Sequence, residues 1–219
     1  MDAKTTYYYL LAIADQRDET TWGLHLLDLA NQGLHPDYTI ANGGRGLRAG
    51  QAAVWDDGPC HGDVFHAERD LVKLAFFLEN RAAGCSTIRQ KLERKMERAK
   101  KWGQGQSLSR KLAYARQAED QAIELAEDIR TLTDWMQNDI LSPVGPDLQS
   151  RREPYDFVVE QLRGRENLWL HRIGPVRHML ENHRDNLLAF AGVLDERFAE
   201  IAAGNYASQA SSRLELFRL

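Results

Sequence analysis

Between Tyr38 and Asp70 the chain gathers side chains that can hold metals or move protons. Cys60, His61, Asp63 and His66 crowd together, and Asn42 follows a short β-branched and aromatic run, Tyr38-Thr39-Ile40. A Cys/His/Asp cluster raises the question of zinc. Strand alternation turns neighbouring side chains to opposite faces, however, and no second ligand cluster stands near, so the spacing argues against a zinc site. Asn42 is more informative. A polar residue at a strand end, then a glycine turn (Gly43, Gly44, Gly46), then a helix, is a common plan for an α/β site, because strand-end side chains project into the crevice between the flanking connections. The glycines satisfy neither the phosphate-loop pattern nor the dinucleotide fingerprint. Arg45 and Arg48, just after them, either meet phosphates or face solvent. Asp63 and His66 read as a polar pair at the edge of a site, or as a strand-to-helix junction where a carboxylate favours the helix N-terminus. His25, His35, His171, His178 and His183 are scattered, and no grouping of Ser, His and Asp or of Cys and His points to nucleophilic catalysis.

A second chemistry lies in the charges. Arg89, Lys91, Arg94, Lys95, Arg98, Lys100, Lys101, Arg110, Lys111 and Arg116 form a basic half of one helical region. Glu119, Asp120, Glu124, Glu127, Asp128, Asp134 and Asp139 form an acidic half. A cluster of cations near one chain reversal attracts a polyanion such as a nucleic-acid backbone, and equally describes an ordinary solvated helix surface.

The elements that must position these residues follow from periodicity. Tyr7–Ala14 and Tyr38–Ile40 read as buried strands, and Cys60–Phe65 as a third short one leading into a helix near His66. Thr20 or Thr21 is a candidate N-cap for a helix on Trp22, Leu26, Leu27 and Leu29, which Gly33 stops. A second helix carries Leu47, Ala49, Ala52, Ala53 and Trp55. From Glu68 the pattern is helical almost throughout, with Gly84 ending one helix and Ser86 or Thr87 starting the next. A reversal is expected at 102–105. The longest stripe runs Leu108, Leu112, Ala115, Ala118, Ala122, Leu125, Ile129, Leu132 and Met136, in the steps of three and four of an antiparallel hairpin. Pro143, Gly145, Pro146 and Pro154 mark a linker. Helices resume on Phe157–Leu162, after Gly174-Pro175, from about Arg184 to Ala203, and at 211–219. The expected fold class is α/β and mostly helical: a partial mixed sheet of about three strands, then a long all-α region with an antiparallel hairpin. The expected segments are 1–67, 68–142 and 143–219.

A net charge of -4 shows no global nucleic-acid signature. Two cysteines, Cys60 and Cys85, make no disulfide framework, so a cytoplasmic setting is the default expectation. No apolar run reaches the roughly 20 residues of a membrane span.

Four stretches resemble bacterial insertion-sequence transposases of the DDE type, which have a ribonuclease-H-like catalytic fold. They are RDETTWGLHLLDL (Arg17–Leu29), DYTIANGGRGLRAGQA (Asp37–Ala52), PCHGDVFH (Pro59–His66) and LENHRDNLLAFAGVLDERF (Leu180–Phe198). The resemblance implies a fragment of such a core, with the helices from about Glu68 as the family's helical insertion. It also implies DNA as a partner, with a homo-oligomer or a full-length transposase as further partners. In the intact family three carboxylates hold two divalent ions, usually Mg2+, for in-line phosphoryl transfer. The first aspartate belongs to a strand that this sequence is expected to lack, and the second position holds Asn42. None of Glu181, Glu196, Glu200 or Glu215 matches the context of the third. Asp63 and His66 resemble a motif that follows the second aspartate in related groups. The implied protein is a truncated or degenerate transposase, catalytically inactive and without bound Mg2+. The alternative is a helical oligomerisation or protein-binding module, working through the Leu108–Met136 stripe.

Overall fold

The computed structural model describes residues 16, 18–41, 44–56, 58, 60–100 and 106–202. The strand expected at Tyr7–Ala14, Asn42, Gly43, Lys101, the reversal at 102–105 and the helix at 211–219 lie outside these residues. The chain is mostly helical, with a small parallel sheet, and it divides into two compact units. One holds the described residues up to Val64 together with those from Asp185 onward; the other runs Phe65–Arg184. Expected segment 1–67 falls largely in the first unit, and 68–142 wholly in the second.

In the first unit, α1 (Glu19–Asn31) is capped by Asp18, whose carboxylate accepts from the Thr21 N–H at 2.8 Å. The expected cap at Thr20 or Thr21 is therefore displaced to Asp18, with Thr21 as donor. Gly33, at φ 93°, ends the helix as expected. Its N–H donates to Ala30 O and that of Leu34 to Leu29 O, which satisfies the last carbonyls with a left-handed residue that glycine adopts freely. Strand β1 (Thr39–Ala41) pairs in parallel with β2 (Cys60–Gly62), Ile40 opposite His61, through the intervening α2 (Arg45–Val54). Two expectations fail here. Ile40 is 60% exposed rather than buried, and β2 stops at Gly62 because the following helix, α3 (Val64–Lys100), has already begun at Val64.

Helices α1 and α2 meet backbone to backbone. A Cβ on Gly50 would come within 2.7 Å of Gly23 N and 2.9 Å of Trp22 Cβ. The end of α6 (Leu170–Ala202) closes the unit. Gly62 leaves no room for a Cβ beside Asn186 and Leu187, and Leu187, Leu188 and Ala191 are buried.

In the second unit, α3 (Val64–Lys100) and α4 (Gln106–Trp135) form the expected hairpin. Glu79 pairs with Arg130, Arg89 with Glu119 and Glu93 with Arg116, so the helices run antiparallel. Gly84 does not end a helix, nor do Ser86 or Thr87 start one. The stripe Leu71, Ala75, Leu78, Ala82, Cys85, Arg89, Leu92, Met96 continues through it, and Thr87 Oγ1 bonds back to Ala83 O at 3.0 Å. Gly84 sits on the outer face, where its cost of about 1 kcal/mol does not interrupt the packed stripe.

The proline expectations also fail, for a related reason. Helix α5 (Leu148–Arg165) starts at its Asp147 cap and carries Pro154 inside it; α6 (Leu170–Ala202) carries Pro175. Pro154 lies on the exposed side of α5, while Arg151, Tyr155, Val158, Val159 and Leu162 are buried on the other. That burial outweighs the roughly 3 kcal/mol penalty of an interior proline. Between α4 and α5, Arg151 is 2% exposed and donates to the carbonyls of Ile140 (2.5 Å), Ser142 (2.7 Å) and Pro146 (2.6 Å). It binds the frayed end of α4 and its terminal π turn (Met136–Ile140) to the start of α5. Tyr155 hydroxyl donates to Leu180 O at 2.8 Å, tying α5 to α6. The helix start expected near Arg184 corresponds to a kink in α6, where His183 takes φ -117° and ψ 15°.

Two glycine substitutions should act in opposite directions. Gly50→Ala is expected to lower stability by about 1–3 kcal/mol through steric overlap with α1. Gly84→Ala, which meets open space, is expected to raise it by roughly 0.5–1 kcal/mol. Urea unfolding followed by circular dichroism measures both; equal effects would refute the close α1–α2 crossing.

Candidate nucleic-acid interface

The strand-end constellation is the smaller of the two candidate sites. Asp63 directly follows β2 and is half-buried, while His66 lies in the first turn of α3, with Phe65 edge-on to its ring at 5.7 Å. They fall on either side of the division between the units. His61 is half-buried against Tyr38, ring centroids 5.2 Å apart, and burial holds its imidazole below the ordinary pKa. Cys60 and Cys85 are free thiols. Among the described residues no three of His, Cys, Asp and Glu converge as metal ligands. Arg45 opens α2 on an exposed face. Arg48 is half-buried, and its Nε is shut off from solvent without a hydrogen-bond partner.

The hairpin separates its cations into two kinds. Arg89 points inward: its Nε donates to Glu119 at 2.6 Å, a second nitrogen reaches the other Glu119 oxygen at 3.1 Å, and a third meets Glu93 at 2.8 Å. Arg116 takes the remaining Glu93 oxygen at 2.9 Å. Arg89 and Glu119 both occupy the apolar stripe positions of their helices, and Glu119 is only 8% exposed. Hydrogen bonds from Arg89 hold the Glu119 carboxyl below the usual range, and those from Arg116 and then Arg89 do the same for Glu93. Arg89 is thus committed to the protein, contrary to its expected place in a phosphate-binding set. Its position in the steps of three and four, 85–89–92 against 115–119–122, carried that signal in the sequence.

The other cations point outward. Lys91, Arg94, Lys95 and Arg98 on α3, and Arg110 and Lys111 on α4, are exposed and have no ion pair among the described residues. The neighbouring acids Glu93 and Glu119 are already neutralised within the hairpin, which leaves Glu97 as the exposed acid among these six. Lys100 closes α3, and Lys101 lies outside the described residues. In the stripe on α4, Leu125 and Met136 are buried within the chain.

No family model matches the chain, and neither curated proteins nor solved structures yield a match. Among the described residues no helix is long and apolar enough to cross a membrane.

The Arg89–Glu119–Glu93 cluster makes a prediction about acid. These carboxyls ionise more readily folded than unfolded, so their contribution is fully present above the ordinary value of 4.5 and is lost as pH falls through their depressed folded values. Glu119→Gln should melt below the parent at neutral pH, and the gap should narrow as pH drops below that value. Thermal melts of both proteins over an acid series measure it; a gap independent of pH would refute the ionic role of Glu119.

Proposed function

We propose that the chain is a DDE-transposase-like protein whose two-metal chemistry is disabled at Asn42 and whose helical hairpin holds DNA by its phosphate backbone. The observation that carries the DNA contact is the set of six exposed cations on the hairpin that have no ion pair among the described residues. Glu93 and Glu119 are occupied within the hairpin and Glu97 offsets one charge of the six, so the local field is positive although the whole chain is acidic. Exposed helix cations offer no base-edge geometry, so the contact is sequence-tolerant.

Chain order supports the family part of the reading. A β–α–β segment is followed by a long helical stretch, and the chain then returns as a helix that packs on Gly62 of the second strand. A ribonuclease-H-like core interrupted by a helical insertion has this order. The inactivity rests on charge. An amide offers one neutral oxygen to a hard cation but not the negative charge that two closely spaced divalent ions require. Asp63 and His66 act in this reading as residues at the edge of the disabled site, and Arg45 as a further phosphate contact.

Fluorescence anisotropy with a labelled duplex over a salt series tests the contact. The parent should lose affinity steeply with salt, and the variant carrying Arg94→Gln, Lys95→Gln and Arg98→Gln should show a slope shallower by about 3, equally for unrelated sequences. Binding that is absent, or insensitive to salt, refutes it. Nicking or strand transfer by the purified chain with Mg2+ or Mn2+ refutes the inactivity.

A further inference from the structure

With its inner stripe packed on α3, helix α4 turns the opposite face to solvent. Along that face lie Arg110, Tyr114, Gln117, Gln121 and Glu124, spaced by three and four residues, with Lys111 and Glu127 beside the line. All are exposed, and Tyr114 is 73% exposed. None of the four charged groups at the two ends has an ion pair among the described residues, in contrast to Arg116 and Glu119 on the same helix. The order along the face is cation, ring, amide, amide, anion.

That order is its own complement when reversed. About a twofold axis between Gln117 and Ala118, Lys111 of one copy comes opposite Glu124 of another, Arg110 comes between Glu124 and Glu127, and Tyr114 meets Gln121. We propose that two copies of this chain associate through the outer faces of α4, antiparallel, about this axis. A twofold contact of this kind needs one self-complementary patch and nothing else. The face from 110 to 127 is about 27 Å long at the helical rise. A single helix pair of that length buries little, so the dimer is weak and depends on its charges. Salt therefore loosens it. The inference does not rest on the DNA reading, although Arg110 and Lys111 serve in both: Lys91, Arg94, Lys95 and Arg98 lie on α3 and take no part, and a nucleic acid would have no use for Glu124 and Glu127.

Sedimentation equilibrium of the full chain, free of DNA, tests this with two charge-reversed variants. One carries Arg110→Glu and Lys111→Glu, the other Glu124→Lys and Glu127→Lys; all four positions are exposed, and circular dichroism checks that the fold is kept. The parent should dimerise at low salt and dissociate at high salt. Each variant alone, with like charges at both ends of the contact, should weaken dimerisation by at least roughly tenfold. An equimolar mixture of the two, one all-acidic and one all-basic along the face, should associate again. A parent that stays monomeric at low salt, a variant that dimerises as the parent does, or a mixture that remains monomeric would each overturn the proposal.

Discussion

The bidentate pair between Arg89 and Glu119 is the interaction on which the hairpin's arrangement depends. Both residues stand where their helices otherwise present apolar side chains to each other, so each would be costly to bury alone. Any other register of α3 against α4 sets one charge against an apolar neighbour and leaves the second without a partner. Apolar stripes of Leu, Ala and Met are tolerant of such slippage, whereas a single polar layer is not. The other cross-helix pairs, Glu79 with Arg130 and Glu93 with Arg116, agree with the same alignment. The register then decides which cations are free. It turns Arg89 and Arg116 toward acids and leaves Lys91, Arg94, Lys95, Arg98, Arg110 and Lys111 facing solvent.

A different device holds the distal end of this unit. Helix α4 loses its regular hydrogen bonding at the π turn, and the carbonyls beyond it would be unsatisfied next to a buried interface. The Arg151 guanidinium takes three of them, and Gly145 is small enough to pass beside it, since a Cβ there would stand 2.9 Å from the Arg151 nitrogen. Here the guanidinium is held by neutral carbonyls. Arg177 shows the opposite solution. It is buried against Glu166 at 2.6 Å and also pairs with Glu181, and Gly174 admits the Glu166 carboxylate beside α6.

How far this fold could be read from the sequence depended on whether the deciding quantity was local. The hairpin, α1 with its glycine stop, α2 and the places of the two short strands are visible as periods or turn residues spanning a few positions. Continuity through Gly84, Pro154 and Pro175 is not. Each breaker carries a local penalty of about 1–3 kcal/mol, while the compensation comes from partners far along the chain. Tyr155, for example, is fixed by a carbonyl of α6. The Asp18 cap was missed because a threonine hydroxyl and an aspartate three residues earlier suit the same helix start. For the candidate interface, composition found the basic cluster, but it could not separate spent cations from free ones. That distinction needed the stripe positions of Arg89 and Glu119, which only pairing makes meaningful.

In the proposed reading, the free charges let an acidic chain bind a polyanion. Along α4, Lys111 and Glu124 are about 20 Å apart at the helical rise, roughly twice the screening length at physiological salt. Within one molecule the two ends of that face therefore act as separate fields: the acids neither neutralise the basic end nor weaken its attraction for phosphate. Between molecules the distance constraint disappears. A second copy turned end for end can bring the same groups into direct contact, with Tyr114 and the two glutamines filling the middle. One face of α4 thus offers a phosphate chain half of its charges, and offers a copy of itself all of them. The α3 cations outnumber Glu97, the exposed acid among them, and in the proposed reading they are left for the polyanion in either case.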